Sequence, residues 1–174
     1  MALSVFISHS VGTAEMPIIN QMSAEFTGAG VQPYIAHYHR ELGNNLSTKV
    51  QTAISASNAL VVLWTATGSH AAWVNQEVGF ALGRGLPVYA LVEKGVEVKG
   101  MLHDAEYMAF DPSDPSPVLG HMAQYLAYIQ SQKELAETRA QLETAREQVE
   151  EMEILAGVVL ICLFVAVVVL AARH

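Results

Sequence analysis

Trp73 and Glu77 are the two residues of this sequence whose types and spacing best suit chemistry. Residues 71–83 have the composition of a helix, and side chains four positions apart on a helix share one face. An indole can stack on a flat cationic ring. A carboxylate beside it can bind vicinal hydroxyl groups and stabilise positive charge at an adjacent carbon. The pair therefore suits a substrate that has both a flat cationic ring and vicinal hydroxyl groups. The alternative is that Trp73 belongs to the core and Glu77 is an exposed helix charge.

The elements that would position this pair alternate along the first 130 residues. Apolar runs predict strands, and amphipathic segments between them predict helices. This alternation is typical of a flavodoxin-like α/β fold, a parallel sheet with flanking helices. Pro33 lies in the second predicted strand and favours a sheet edge, which fits the strand order 2-1-3-4-5. The predicted strands are residues 3–7, 31–35, 59–64, 87–92 and 107–110, and the helices between them are 15–27, 46–56 and 71–83.

The strand order also predicts where a ligand binds. In open parallel sheets, ligands bind beyond the carboxyl ends of the strands, where the strand order reverses. Here that point lies between the first and third strands. Residues 8–10 and 65–77 are therefore expected at the site.

Three segments of the chain resemble the conserved boxes of bacterial TIR (Toll/interleukin-1 receptor) domains. The first is Ser4-Val-Phe-Ile-Ser-His-Ser10, the second runs through residues 43–63 into the third strand, and the third is residues 69–89, with Trp73 and Glu77. The resemblance covers about residues 1–130. The chain departs from the commonest pattern after the first box. An acidic residue usually follows soon, and here Val11-Gly-Thr13 intervenes before Glu15.

The resemblance implies an NAD⁺ glycohydrolase or ADP-ribosyl cyclase that cleaves the nicotinamide–ribose bond. Glu77 would be the catalytic residue and Trp73 would stack near the nicotinamide, while Ser8, His9 and Ser10 would line the same pocket. NAD⁺ is then a substrate, and no cofactor is expected. The loop at residues 36–45 would mediate contacts between TIR domains, so that oligomerisation activates the enzyme. The implied role is antiphage or innate-type defence signalling.

Two other functions remain open. One is a non-catalytic TIR adaptor that assembles signalling partners, and the other is a different glutamate-dependent N-glycosidase on the same topology. The Trp73/Glu77 pair favours catalysis over the adaptor. No metal site is predicted, because His37 and His39 lack cysteine or paired carboxylate neighbours. The net charge of −8 argues against binding to nucleic acid.

The chain changes character after residue 127, the predicted end of the TIR domain. Residues 128–153 have apolar side chains spaced alternately by three and four, which predicts a helical stalk that forms a short coiled coil between copies of the chain. A solvated single helix is the alternative. The seam consists of Leu135, Thr138, Leu142, Ala145, Val149 and Met152.

The last part of the chain is apolar. Residues 154–172 contain no charged side chain. As a helix with a rise of ~1.5 Å per residue they would span close to the ~30 Å of a bilayer core. This pattern predicts a transmembrane helix, which would anchor the chain in a lipid bilayer by a single C-terminal pass, followed by a tail at residues 173–174. The N-terminus lacks a signal-peptide pattern, which favours a cytoplasmic TIR domain.

Overall fold

The computed structural model describes residues 2–10, 12–35, 48–103 and 105–171, with side chains except at residues 164 and 166–171. The chain divides into two compact units, Met1–Gln130 and Ser131–His174. The loop predicted to mediate TIR contacts, residues 36–45 with His37 and His39, lies outside the described residues, as does the tail at residues 173–174.

The first unit alternates strands and helices, as the sequence predicts. A short 3₁₀ turn at Gly68–His70 precedes the third helix, and another at Gly100–Leu102 precedes the last strand. The elements in chain order are β1 Ser4–Ser8, α1 Met16–Gly28, β2 Gln32–Ile35, α2 Thr48–Ala56, β3 Ala59–Trp64, α3 Ala72–Gly83, β4 Val88–Glu93, β5 Tyr107–Phe110 and α4 Ser116–Ala171.

The strands form one parallel sheet in the order β2-β1-β3-β4-β5, which confirms the predicted topology. Pro33 lies on the edge strand β2, opposite Val5 of β1. A proline has no N–H to donate to a ladder, so an edge is where the sheet tolerates it. Gly30 has φ 79° at the bend between α1 and β2, a left-handed conformation that favours glycine.

Successive strand residues point to opposite faces of the sheet, and helices cover both faces. In β3, Val61 and Leu63 belong to the core cluster packed against α1 and the start of α4. Val62 and Trp64, which alternate with them, belong to the cluster packed against α2 and α3. This two-faced burial explains why β3 is apolar at every position, with all its residues buried.

The second unit is helical from its start as far as Ala171. Its seam side chains Leu135, Leu142, Val149 and Met152 are exposed. The coiled coil itself stays a prediction, because only one copy of the chain is present.

The predicted membrane anchor is wrong. A bilayer span needs about 20 consecutive apolar residues in one helix. Across the described part of the chain, no helix meets that requirement of length and apolar composition. This finding overturns the single-pass C-terminal anchor at residues 154–172 and removes the support for a lipid bilayer as partner.

Candidate active site

Glu77 is a fully buried carboxylate on α3. The helix packs Val74, Val78 and Ala81 against the sheet, as their spacing of three and four predicts. Glu77 is 0 % exposed, and its Oε2 accepts a hydrogen bond from the hydroxyl of Ser8 at 2.5 Å. A buried carboxylate needs such donors to offset the loss of hydration. Glu77 is therefore not an exposed helix charge.

Trp73 lies one helical turn before Glu77 and is half-buried against the same core cluster. Its indole N–H donates to the carbonyl oxygen of His9 at 3.3 Å. Trp73 and Glu77 thus contact consecutive residues at the end of β1, His9 and Ser8. Four residues that the sequence placed at the site are brought together here.

His9 is buried and its ring is held by the main chain beside it. Its Nδ1 is hydrogen-bonded to the carbonyl oxygen of Ser10. A carbonyl oxygen can only accept, so the proton of this bond is on Nδ1. The orientation of the ring is fixed within the loop that follows β1.

Ser10 is also buried, and besides its bond to the His9 ring it makes two hydrogen bonds that lead away from Glu77. Its main-chain N–H donates to Oε2 of Glu15 at 2.9 Å. Its hydroxyl oxygen accepts the N–H of Gly12 at 3.4 Å. Ser10 is therefore tied to a second buried carboxylate rather than to the Trp73/Glu77 pair.

That second carboxylate, Glu15, is the residue that the sequence analysis did not assign to the site. It is 3 % exposed and stands at the N-cap of α1, yet its side chain does not cap that helix. Its Oε1 accepts the hydroxyl of Thr65, in the loop after β3. The sequence contains one indication of this role. TIR domains usually have an acidic residue soon after the first box, and Glu15 is that residue a few positions later than usual.

The site lies at the carboxyl ends of β1 and β3, where the strand order reverses, as the topology predicts. A cavity of about 500 Å³ lined by Tyr89, Tyr107 and Tyr125 lies at the opposite ends of the strands and is remote from this chemistry. Within the described residues, no group of three or more His, Cys, Asp or Glu side chains could hold a metal ion.

Comparison with known proteins identifies the fold and the family. The TIR domain of the Toll-related receptor TRR-2 from Hydra magnipapillata superposes with a TM-score of 0.55 at 17% identity, over 71% of this chain and 97% of that chain. The TIR domains of the activated Roq1 resistosome, which recognises the pathogen effector XopQ, give a TM-score of 0.44 at 14% identity, over 74% of this chain and 85% of that chain. No curated protein is similar enough in sequence to count as a match. The family model described as "TIR domain" matches residues 5–117, about two thirds of the chain. The chain therefore belongs to the TIR-domain family.

Proposed function

We propose that this TIR protein is an enzyme that cleaves the nicotinamide–ribose bond of NAD⁺, with Glu77 as its catalytic residue. The observation that carries the proposal is the hydrogen bond between Glu77 and Ser8, beside Trp73, at the point where the strand order reverses. At the ligand-binding edge of the sheet, the carboxylate suits the ribose and the indole suits the nicotinamide ring, the two groups that the bond joins. NAD⁺ is the substrate, and no cofactor takes part.

Nicotinamide is already cationic in NAD⁺, so it leaves without a strong general acid. As the bond between the ring nitrogen and the ribose C1′ breaks, the electron pair goes to the ring and C1′ acquires oxocarbenium character. The Glu77 carboxylate stabilises that charge and binds the ribose hydroxyls. Trp73 stacks near the nicotinamide. Water attacking C1′ gives ADP-ribose and releases a proton, while an atom of the same nucleotide attacking C1′ gives a cyclic product.

The site is closed around Glu77, so this mechanism requires the site to open before NAD⁺ can bind. Glu77 is 0 % exposed, so substrate can reach its carboxylate only after the surrounding residues move. The hydroxyl of Ser8 donates one hydrogen bond to this carboxylate. A ribose hydroxyl is the same kind of donor and can take its place. The closed site is the resting state, and contact between TIR domains opens it.

Copies of the chain would meet through the stalk as well as through their TIR domains. The exposed fractions of the large apolar side chains of the seam run from 45% at Leu135 to 65% at Met152. In a parallel, in-register pair, Glu134 of one copy flanks the seam beside Arg139 of the other, an attractive arrangement of g and e positions. Such pairing raises the local concentration of TIR domains. The protein would act in this form in defence signalling.

The non-catalytic adaptor remains the second candidate, because one observation favours it. A fully buried Glu77 can serve as a structural carboxylate that joins α3 to the end of β1. In that case Glu77 supports the fold, and the TIR surface alone carries the function.

Nicotinamide release from NAD⁺ by the purified full chain tests the two candidates. The protein is measured dispersed and after clustering on beads through an N-terminal tag. Glu77→Gln is compared with wild type and with Glu25→Gln, a matched change at an exposed residue of α1. We expect turnover in the clustered wild type and in Glu25→Gln, with a loss of about 100-fold or more in Glu77→Gln. No turnover in either state, or turnover that does not depend on Glu77, overturns the enzyme and leaves the adaptor.

A further inference from the structure

The carboxylate of Glu15 joins two loops that are distant in sequence. Oε2 accepts the main-chain N–H of Ser10 at 2.9 Å, in the loop after β1. Oε1 accepts the hydroxyl of Thr65, in the loop after β3. With Glu15 only 3 % exposed, both hydrogen bonds lie in the protein interior, where they are little weakened by competing water.

The backbone of Glu15 is itself firmly held. Its N–H donates to the carbonyl oxygen of Gly12 at 3.1 Å, and its carbonyl oxygen accepts the N–H of Ile19 at 3.0 Å. Ile19 is fully buried in the core, and Pro17 stands in the first turn of α1, where its missing N–H costs nothing. The carboxylate is therefore presented from the anchored end of a helix.

The loop after β3 packs closely on this carboxylate. Thr65 accepts the N–H of Gly68 at 2.8 Å through the same hydroxyl that it donates to Glu15. A Cβ atom at Gly68 would lie 3.1 Å from that hydroxyl oxygen and 3.4 Å from Oε1 of Glu15. Only a residue without a side chain leaves this arrangement undisturbed.

The two joined loops are the ones that carry the candidate site. Ser8 and His9 immediately precede Ser10, and the turn that begins at Gly68 leads into α3 with Trp73 and Glu77. We infer that Glu15 is a positioning residue, which fixes the Ser8–Ser10 loop against the Thr65–Gly68 loop so that both sides of the Glu77 site keep their spacing. The inference rests on the proposed function only for its kinetic consequence.

A positioning role and a direct electrostatic role make opposite predictions for an uncharged analogue. In Glu15→Gln, the amide oxygen can accept the N–H of Ser10, and the amide N–H₂ can donate to the hydroxyl oxygen of Thr65. Both links survive without the charge. Glu15→Ala removes both links. If Glu15 acts by its charge on the ribosyl cation, the two variants are equally impaired.

Steady-state kinetics on the clustered full chain separates these roles. We expect Glu15→Gln to keep kcat/KM within about fivefold of wild type, the scale of one altered hydrogen bond. We expect Glu15→Ala to lose about 100-fold, mainly through a higher KM, because loop displacements near 1 Å have effects of that size. Glu25→Ala is the matched control. Equal losses in the Gln and Ala variants, or an Ala variant with wild-type KM and kcat, overturn the inference.

Amide hydrogen exchange tests the same inference without any activity. Glu15→Ala should lose protection at the N–H groups of Ser10 and Gly68, while the strand interiors keep theirs. Unchanged protection at both amides contradicts the positioning role. If wild type shows no NAD⁺ turnover, the proposed function fails, and the exchange result alone decides the role of Glu15.

Discussion

Ser8 and Glu77 are 69 positions apart in sequence and meet in a buried hydrogen bond of 2.5 Å between the serine hydroxyl and Oε2 of the carboxylate. The bond joins the last residue of β1 to the middle of α3. Since β1 is paired directly with β3 at this edge, the carboxylate is held where the strand order reverses. The Ser8–Glu77 bond is thus one contact through which the fold orients its candidate catalytic group.

Replacing Ser8 by alanine should impair turnover while leaving the fold intact. The variant loses one hydrogen bond to a carboxylate, worth about 1.5–3 kcal/mol, and with it one of the contacts that orient Glu77. We expect kcat for nicotinamide release to fall by about tenfold or more, and Ser8→Thr, which keeps the hydroxyl, to retain most of it.

Ser57→Ala is the control for this change. Ser57 is also a buried serine that donates one hydrogen bond, to the carbonyl oxygen of Ala53 at 2.9 Å, but it follows α2 at the other end of β3. The urea midpoint should fall in both variants, whereas kcat should fall only in Ser8→Ala. Equal kcat values in the two variants would show that Ser8 has no role in turnover.

Trp73 offers two separable contributions, a ring for stacking and an N–H that donates to His9. Trp73→Phe keeps a ring and loses the N–H, while Trp73→Ala loses both. Stacking contributes about 0.5–1.5 kcal/mol beyond buried area. We therefore expect KM for NAD⁺ to rise a fewfold in Trp73→Phe and about tenfold further in Trp73→Ala. The same KM in both variants would show that the ring does not contact substrate.

The fold was predictable because its signals are local. Residues 59–64 are apolar at every position, as a strand buried on both faces requires, and Pro33 marks an edge strand. The spacing of Val74, Val78 and Ala81 likewise orients α3. That orientation places Trp73 and Glu77 toward the end of β1.

What the sequence did not predict depends on contacts between distant segments. The role of Glu15 arises from a hydrogen bond between its carboxylate and the hydroxyl of Thr65, 50 positions away. The hydrogen bond between Ser8 and the buried carboxylate of Glu77 likewise joins residues 69 positions apart. The apolar composition of residues 154–172 led to a membrane anchor that the described helices do not support.

Gly68 and Gly28 should respond in opposite directions to alanine. A Cβ atom at Gly68 would lie 3.2 Å from the carbonyl oxygen of Leu63, a main-chain atom that cannot move by a side-chain rotation. It would also crowd the hydroxyl of Thr65. Gly68→Ala should therefore destabilise the fold by about 1–3 kcal/mol. Nothing lies within 4 Å of a Cβ atom at Gly28, the last residue of α1, so Gly28→Ala should stabilise it by about 0.5–1 kcal/mol.

Urea denaturation of both variants tests whether the free energy of unfolding falls in Gly68→Ala and rises in Gly28→Ala. The turnover of Gly68→Ala provides a second readout, because displacement of Thr65 should also weaken its bond to Glu15. A Gly68→Ala variant as stable as Gly28→Ala would mean that the loop after β3 accommodates a side chain. That loop would then be packed too loosely to hold Thr65 and Glu15 in fixed positions beside the site.

Leu142 tests whether the stalk associates with a second copy. It lies in the middle of the predicted seam and is 61% exposed in the single chain. Burial of a leucine contributes about 2 kcal/mol, so removing it from both copies of a pair costs about 4 kcal/mol, roughly 1,000-fold in the dissociation constant. Leu142→Lys should therefore shift the full chain to the monomer in sedimentation velocity.

Ala140→Lys carries the same added charge on the opposite side of the stalk helix and should leave association unchanged, since it lies at an f position when Leu135 is at a. The proposed activation then predicts a kinetic difference. In dilute solution Leu142→Lys should release nicotinamide more slowly than Ala140→Lys, and clustering on beads should restore it, because the site itself is intact. Two variants with the same sedimentation coefficient would show that the exposed seam is a solvated helix face. Activation would then have to come from TIR contacts alone.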